Sequence, residues 1–388
     1  MIDPLEKLAT AIRACQPKEA SEMLRPCWRA LSDSRTLIET LLPLTLEAID
    51  LRFPDLHTVK LADALYALAP EIPSELQLNL MDAFVKHLAS VAKVSLPVAD
   101  GHVAGFFQAQ KPSEGLLKAV SRRRTLNAYY YALRLTEEES GTALEDLSLR
   151  IATRDVGNFG QIFSCVDSLI WLNDMLGLAD RKYLAFRMME YLAREAATSD
   201  PEPLLPMPAS LDSVVAAAIG QAGFFGHNLI LAQRLLRRQG RLPEAWHHHA
   251  WAQLHQHITT AEPGGEDHWP LDDALIRQKI GDFADTATEP ITGPVDAIQN
   301  QQEGAALYFL QRELQANSLS PQLLGAVLKG ALLADRDPID PYSIVMPWAA
   351  WSLARQATDP QLANLCMSQA VTCLANLQEK KLSWTYQQ

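Results

Sequence analysis

Apolar residues recur along this chain at helical spacing and almost nowhere alternate. Leu37, Leu41, Leu44 and Ala48 lie close to a 3.6-residue period, and Leu362, Leu365, Cys366, Ala370, Cys373, Leu374 and Leu377 repeat the pattern near the end. Pro43 falls inside the first stretch, where it is expected to kink or split a helix. Most other Pro and Gly residues sit between periodic blocks: Pro70 and Pro73, Pro97, Pro112, Pro201 to Pro208, Pro263-Gly264-Gly265, Pro290 to Pro294, and Pro338 to Pro341. With helices of about 11–12 residues and short connections, this predicts an all-α multi-helical array of roughly fifteen helices.

Several helix ends can be placed. Ser210 caps a helix reaching about residue 219, with Asp212 in its first turn. Ser320-Pro321 opens 320–334, and Asp359-Pro360 opens the final helix. Gly240 stops a helix running from about 224 to 239, whose end carries Arg234, Arg237 and Arg238, as its dipole favours. The stiff, Pro-rich stretch 200–208 separates 1–199 from 209–388. Either these are two lobes around a central pocket, or the stretch crosses the surface of one continuous domain. Gly105-Phe106-Phe107 recurs as Gly223-Phe224-Phe225, but no constant period accompanies it.

Composition narrows the function classes. A hydrophobic fraction of 48% in 388 residues supports a large core. Lys+Arg of 34 against Asp+Glu of 46 gives a net charge of −12, which repels phosphate backbones and argues against nucleic-acid or anionic-membrane partners. No apolar run reaches the roughly 18 residues of a membrane span. Met1 to Lys7 lack the basic-then-apolar order of a signal peptide, so a cytoplasmic location is expected. Five scattered cysteines without a Cys-x-x-Cys predict neither a disulfide framework nor a zinc-thiolate site.

Candidate chemistry lies at helix beginnings. His57 precedes Leu61, Ala64, Leu65 and Leu68; Asn158 precedes Ile162, Cys165, Leu169 and Leu172; Glu303 precedes Leu307, Leu310 and Leu314, with Gln299 four residues before it. These spacings put each polar group on a buried stripe. His227 stands at the margin of its stripe, because Arg234 and Arg238 share its line with Leu231. Gln161 joins Asn158 at the same helix mouth. Converging, such mouths would floor an apolar pocket; separately, first-turn polar residues satisfy orphan backbone N–H groups. Five histidines crowd into 246–257, but none are separated by three or four residues, so one helix face cannot offer a metal two of them. No metal is expected, and that segment reads as a solvated or interface face. Dinucleotide, P-loop and nucleophile-elbow glycine signatures are missing.

Ala222-Gly223-Phe224-Phe225-Gly226-His227-Asn228-Leu229-Ile230 resembles the questin oxidase-like family, in which a Gly/Phe-rich approach leads to a His-headed helix. Phe53-Pro54-Asp55-Leu56-His57 before Ala64-Leu65-Tyr66-Ala67-Leu68 resembles that family's early His-headed helix, and Thr288 to Pro294 is a third point of similarity. The resemblance spans about 40–360. It implies an all-helical oxygenase of hydrophobic, cyclic, polyketide-type molecules working with NADPH and molecular oxygen. His57 or His227 would be its general base, since imidazole titrates near neutrality. Asn158, Gln161, Gln299 and Glu303 would bind substrate. The family is His-rich at its helix mouths, whereas Asn158, Gln299 and Glu303 stand here, and amides cannot serve as bases. The alternative is a non-catalytic helical array that binds a protein partner or a small ligand. A closed apolar cavity holding His57 and His227 would favour the enzyme; a packed interior would favour the binder.

Overall fold

The apolar stripes are buried against one another as their periodicity requires, in a computed structural model that describes residues 3–31, 33–49, 56–94, 110–157, 160–176, 181–208, 210–286, 291–334 and 338–377. The first helices are α1 (Pro4–Arg13), α2 (Pro17–Leu31), α3 (Ser34–Glu47), α4 (His57–Leu68) and α5 (Ser74–Ser90). They are followed by α6 (Pro112–Ser121), α7 (Thr125–Glu138), α8 (Gly141–Ala152), α9 (Gln161–Leu176) and α10 (Arg181–Glu195). Beyond the Pro-rich stretch come α11 (Leu211–Gly220), α12 (His227–Arg237), α13 (Glu244–Thr260), α14 (Asp273–Thr286) and α15 (Pro294–Gln299). The last are α16 (Glu303–Asn317), α17 (Pro321–Ala334), α18 (Tyr342–Gln356) and α19 (Pro360–Ala375). Two-residue strands β1 (Ala48–Ile49) and β2 (Ala92–Lys93) pair antiparallel. The fold is therefore all-α.

Nineteen helices among the described residues exceed the fifteen expected, because some breaks carry neither Gly nor Pro. Arg123 and Gln301 adopt φ of 57°, ending α6 and α15 in a left-handed residue. Pro43, conversely, lies within α3 without dividing it. The caps follow the sequence: the Ser210 hydroxyl accepts from the Ser213 N–H at 3.2 Å, and Asp359 accepts from the Gln361 N–H at 2.9 Å. The helix expected from about 224 starts instead at His227, after a tight turn over Phe224–Gly226.

One apolar core runs from Leu8 to Leu377 and draws on both sides of 200–208. Its centre is formed where α4 packs on α9 and α18, and α12 on α9 and α18, so elements distant in sequence meet there. Leu205 donates its N–H to His249 Nδ1 at 2.9 Å, fastening the Pro-rich stretch to α13. Cys27, Cys165, Cys366 and Cys373 are buried and Cys15 is exposed; all are free thiols. No described helix is long and apolar enough to cross a membrane.

Candidate functional site

Four central helices each begin on a polar side chain, and the four side chains meet. His57, Gln161, His227 and Tyr342 are the first residues of α4, α9, α12 and α18. The Tyr342 hydroxyl is the common point. It lies 2.9 Å from His227 Nε2, 3.2 Å from His57 Nε2 and 2.7 Å from Lys60 Nζ, and Gln161 Nε2 also donates to it. Lys60, one turn into α4, additionally sits 4.6 Å above the Tyr342 ring. The group is nearly closed to water: exposure runs from 1% for Lys60 to 8% for Tyr342.

The donors and acceptors fix the protonation. The Phe224 carbonyl can only accept, so His227 Nδ1, which faces it, carries the proton. His227 Nε2 is then the acceptor, receiving Gln161 Nε2 at 2.6 Å. The orientation of Gln161 follows as well, because its Oε1 accepts from the Lys60 ammonium. The Tyr342 oxygen thus accepts from Lys60 and Gln161, and its own proton points to His227 or His57. Burial above all, and then the Lys60 charge, push His227 down to about 3. His227 is therefore neutral near pH 7 and lacks the near-neutral titration expected of a base. Four helix N-termini and a lysine favour negative charge at this point.

The approach to His227 is shaped by backbone conformations that ordinary residues avoid. Gly223 and Gly226 have φ of 72° and 78°, and Phe225 between them has φ of 49°. A Cβ on Gly226 would lie 2.4 Å from Met346 Cγ, so glycine also permits the close approach of α18. The turn lays Phe225 parallel to Tyr342, with centroids 5.9 Å apart, and Phe224 parallel to His227 at 6.2 Å. These rings form an apolar wall beside the polar floor.

A second polar layer supports the first. Six or seven residues further along the same helices stand Asp63, Asp167, Arg234 and Trp348, about 9–10 Å away at ~1.5 Å rise per residue. Arg237 donates to both Asp63 oxygens at 3.0 Å, Arg234 contacts Asp63 and Asp167, and Arg238 links Asp167 to Asp174, the latter at 3.1 Å. The Arg234 guanidinium lies 4.5 Å from the Trp348 ring centre and that of Arg237 5.0 Å from Trp171. Burial opposes ionisation of Asp167, but Arg237, Arg238 and Arg234 together hold its carboxyl below the usual range. Burial, with Arg237 nearby, pushes Arg234 down to about 10, still charged at neutral pH. This explains why the line through Arg234 and Arg238, which placed His227 at a stripe margin, is interior: the arginines meet buried carboxylates.

Of the residues singled out from sequence, the structure brings His57, Gln161 and His227 together. Asn158 lies outside the described residues. Gln299 is exposed at the end of α15. Glu303 heads α16 and pairs with Lys279 of α14 at 2.7 Å. Among the described residues neither touches the Tyr342 group, because α15 packs on α16, α17 and α19 and α16 on α14, α15 and α19, and periodicity does not reveal which neighbour a stripe meets. Lys60 and Tyr342 were missed. Each left a signal: Lys60 lies in an α4 segment apolar nearly all round, and Tyr342 heads a stripe of Val345, Met346 and Ala349. The 246–257 histidines divide, with His247 and His249 buried and His248 facing Glu244 at 3.8 Å. Among the described residues there is no group of three His, Cys, Asp or Glu able to hold a metal. Comparison with protein-family models, curated proteins and solved structures found no match.

Proposed function

We propose that this protein acts on a hydrophobic, cyclic small molecule, as the questin oxidase-like resemblance implies, and that it engages that molecule through an acidic hydroxyl or enol. The observation that carries the reading is the convergence of Lys60, His57, Gln161 and His227 on one phenol oxygen beside an aromatic wall. A substrate hydroxyl that displaced the Gln161 amide from the Tyr342 oxygen would lose its proton there while the Tyr342 proton passes to His57. His227, kept neutral, accepts from the Gln161 amide at 2.6 Å and so fixes the group that donates to the phenol. Lys60 and the helix N-termini stabilise the resulting substrate anion. An electron-rich phenolate or enolate is the form that reacts with molecular oxygen, which the resemblance supplies as co-substrate.

NADPH fits less well. A dinucleotide needs cations for its phosphates. Lys60 is engaged with Gln161 and Tyr342, and Arg234, Arg237 and Arg238 are committed to Asp63, Asp167 and Asp174. The described residues of this site do not fit the dinucleotide, and no step is assigned to it.

Two surface depressions among the described residues, one beside Pro294 and Leu323 and one beside Arg123 and Arg194, include none of the five site residues. Phe224 and Phe225, 7% and 8% exposed, wall the group on the side of the turn. The five residues contact one another directly, a packed arrangement that favours the second reading, a non-catalytic array that binds a protein partner or a small ligand. Oxygen uptake with a dihydroxyanthraquinone, with and without NADPH, separates the readings. Uptake by the wild type that Tyr342→Phe abolishes supports the enzyme; equal, background uptake by both sinks it.

A further inference from the structure

His227 is held from a direction that the reading above does not use. Asp267 follows α13 and reaches the turn before α12. Its Oδ1 accepts the Phe224 N–H at 2.6 Å. Its Oδ2 faces His257 Nε2 on the last turn of α13. Phe224 is thus bracketed: its N–H is held by Asp267, and its carbonyl holds the proton on His227 Nδ1. The rest of the frame is equally tied. Gln221 donates to the Asp267 carbonyl at 3.0 Å and accepts from the Trp269 N–H at 2.6 Å. Asn228 donates to the Gln221 carbonyl at 3.0 Å, and its N–H reaches the Ala222 carbonyl at 2.9 Å. Only glycine fits at Gly223, where a Cβ would lie 2.7 Å from Asn228 Nδ2 and 3.0 Å from Asp267 Oδ1, at φ of 72°.

This arrangement is costly to maintain without its anchor. Phe225 occupies the left-handed region at φ 49°, which is unfavourable for a residue with a Cβ and persists only where surrounding contacts over-determine it. Asp267 supplies such a contact with a charge. Burial disfavours its ionisation, but the His257 ring and the Phe224 N–H outweigh that and hold its carboxyl below the usual range. The pair sits at the protein surface, with side chains 27% and 19% exposed, whereas His227 is 5% exposed.

We infer that Asp267, steadied by His257, is a positioning residue for His227: it pins Phe224 so that the Phe224 carbonyl fixes the His227 tautomer and aims Nε2 at Tyr342. The catalytic relevance of this role rests on the function proposed above, but the role itself is read without any substrate. Nitrogen-15 NMR of histidine-labelled protein, with the His227 signals assigned from a His227→Gln spectrum, tests it. Wild type should show a protonated-type shift at Nδ1 and an unprotonated-type shift at Nε2. Asp267→Asn keeps an oxygen for the Phe224 N–H and should preserve that pattern. Asp267→Ala should mix in the opposite tautomer, and His257→Ala should do so to a smaller extent. His248→Ala, on the opposite side of α13, is the control and should change nothing at His227. Should Asp267→Ala fail to fold, Asp267→Leu and His257→Ala carry the same expectation. An unchanged His227 tautomer in any folded variant lacking the Asp267 carboxyl and amide oxygen would overturn the inference. A mixed tautomer together with no oxygen uptake by the wild type would uphold the positioning role and remove the proposed reaction.

Discussion

Burying a neutral histidine makes folding sensitive to pH in a calculable way. His227 is held at about 3 in the folded protein, against about 6.5 for an exposed imidazole. Between those values the unfolded chain binds a proton that the folded chain does not, so stability falls as pH drops below 6.5. The slope is about 1.4 kcal/mol per pH unit, and the loss between pH 7.5 and 4.5 is about 3 kcal/mol from this residue. Other groups contribute too, since burial also lowers His247 and His249. The difference between wild type and His227→Gln isolates the one residue. Urea unfolding of both proteins at pH 7.5, 6.5, 5.5 and 4.5 is the assay. At pH 7.5 the variant should be less stable, having lost the bond to Phe224, by about 1–3 kcal/mol. By pH 4.5 that gap should close or reverse. A gap constant to within about 0.5 kcal/mol across the series would show that His227 titrates alike in both states, and the account of its environment would be wrong.

The other predictions concern the supporting layer and the turn. Asp167→Asn leaves Arg237 and Arg238 facing a neutral group in a fully buried place and should cost about 3–5 kcal/mol, read by denaturant unfolding. Asp174→Asn, at the 35% exposed end of the same network, should cost under about 1 kcal/mol; equal costs would contradict the burial argument. Gly226→Ala should destabilise by several-fold more than Gly240→Ala, since both have left-handed φ but only Gly226 meets a neighbour, Met346. Below about pH 4, Asp167, Asp267 and Asp200, whose carboxyl is held down against burial by Arg154 and Arg150, should add to acid unfolding: their depressed carboxyls contribute stability above the unfolded value, and it is lost as pH falls through the folded one.

Much of this fold is legible from the spacing of Leu, Ala and Ile, because a helical stripe must be buried somewhere whatever it meets. The caps at Ser210 and Asp359 are equally local. The left-handed breaks at Arg123 and Gln301 are not, since no glycine or proline marks them. At the site, the stripe below His57 and the Gly/Phe-rich approach to His227 mark two of the four helix mouths that meet at Tyr342. The same rule applied to Glu303 leads elsewhere, to Lys279, because periodicity gives a face and not a partner. Lys60 and Asp63 could have been noticed as charges on a helix otherwise apolar all round, a pattern that requires buried counter-groups. Their counter-groups lie more than 90 residues away in sequence, on α9, α12 and α18, and only the packing of those helices supplies them.

The claim at the centre of this account is that the Tyr342 group receives an acidic oxygen and holds it as an anion. A dihydroxyanthraquinone reports its own ionisation by colour, so absorbance titration of this probe into the protein at pH 7 tests the claim directly. The account predicts saturable binding with the spectrum of the anion, weakened at least tenfold by Tyr342→Phe and shifted to the neutral spectrum by Lys60→Met. Binding as the neutral form, or binding that neither substitution alters, would contradict it.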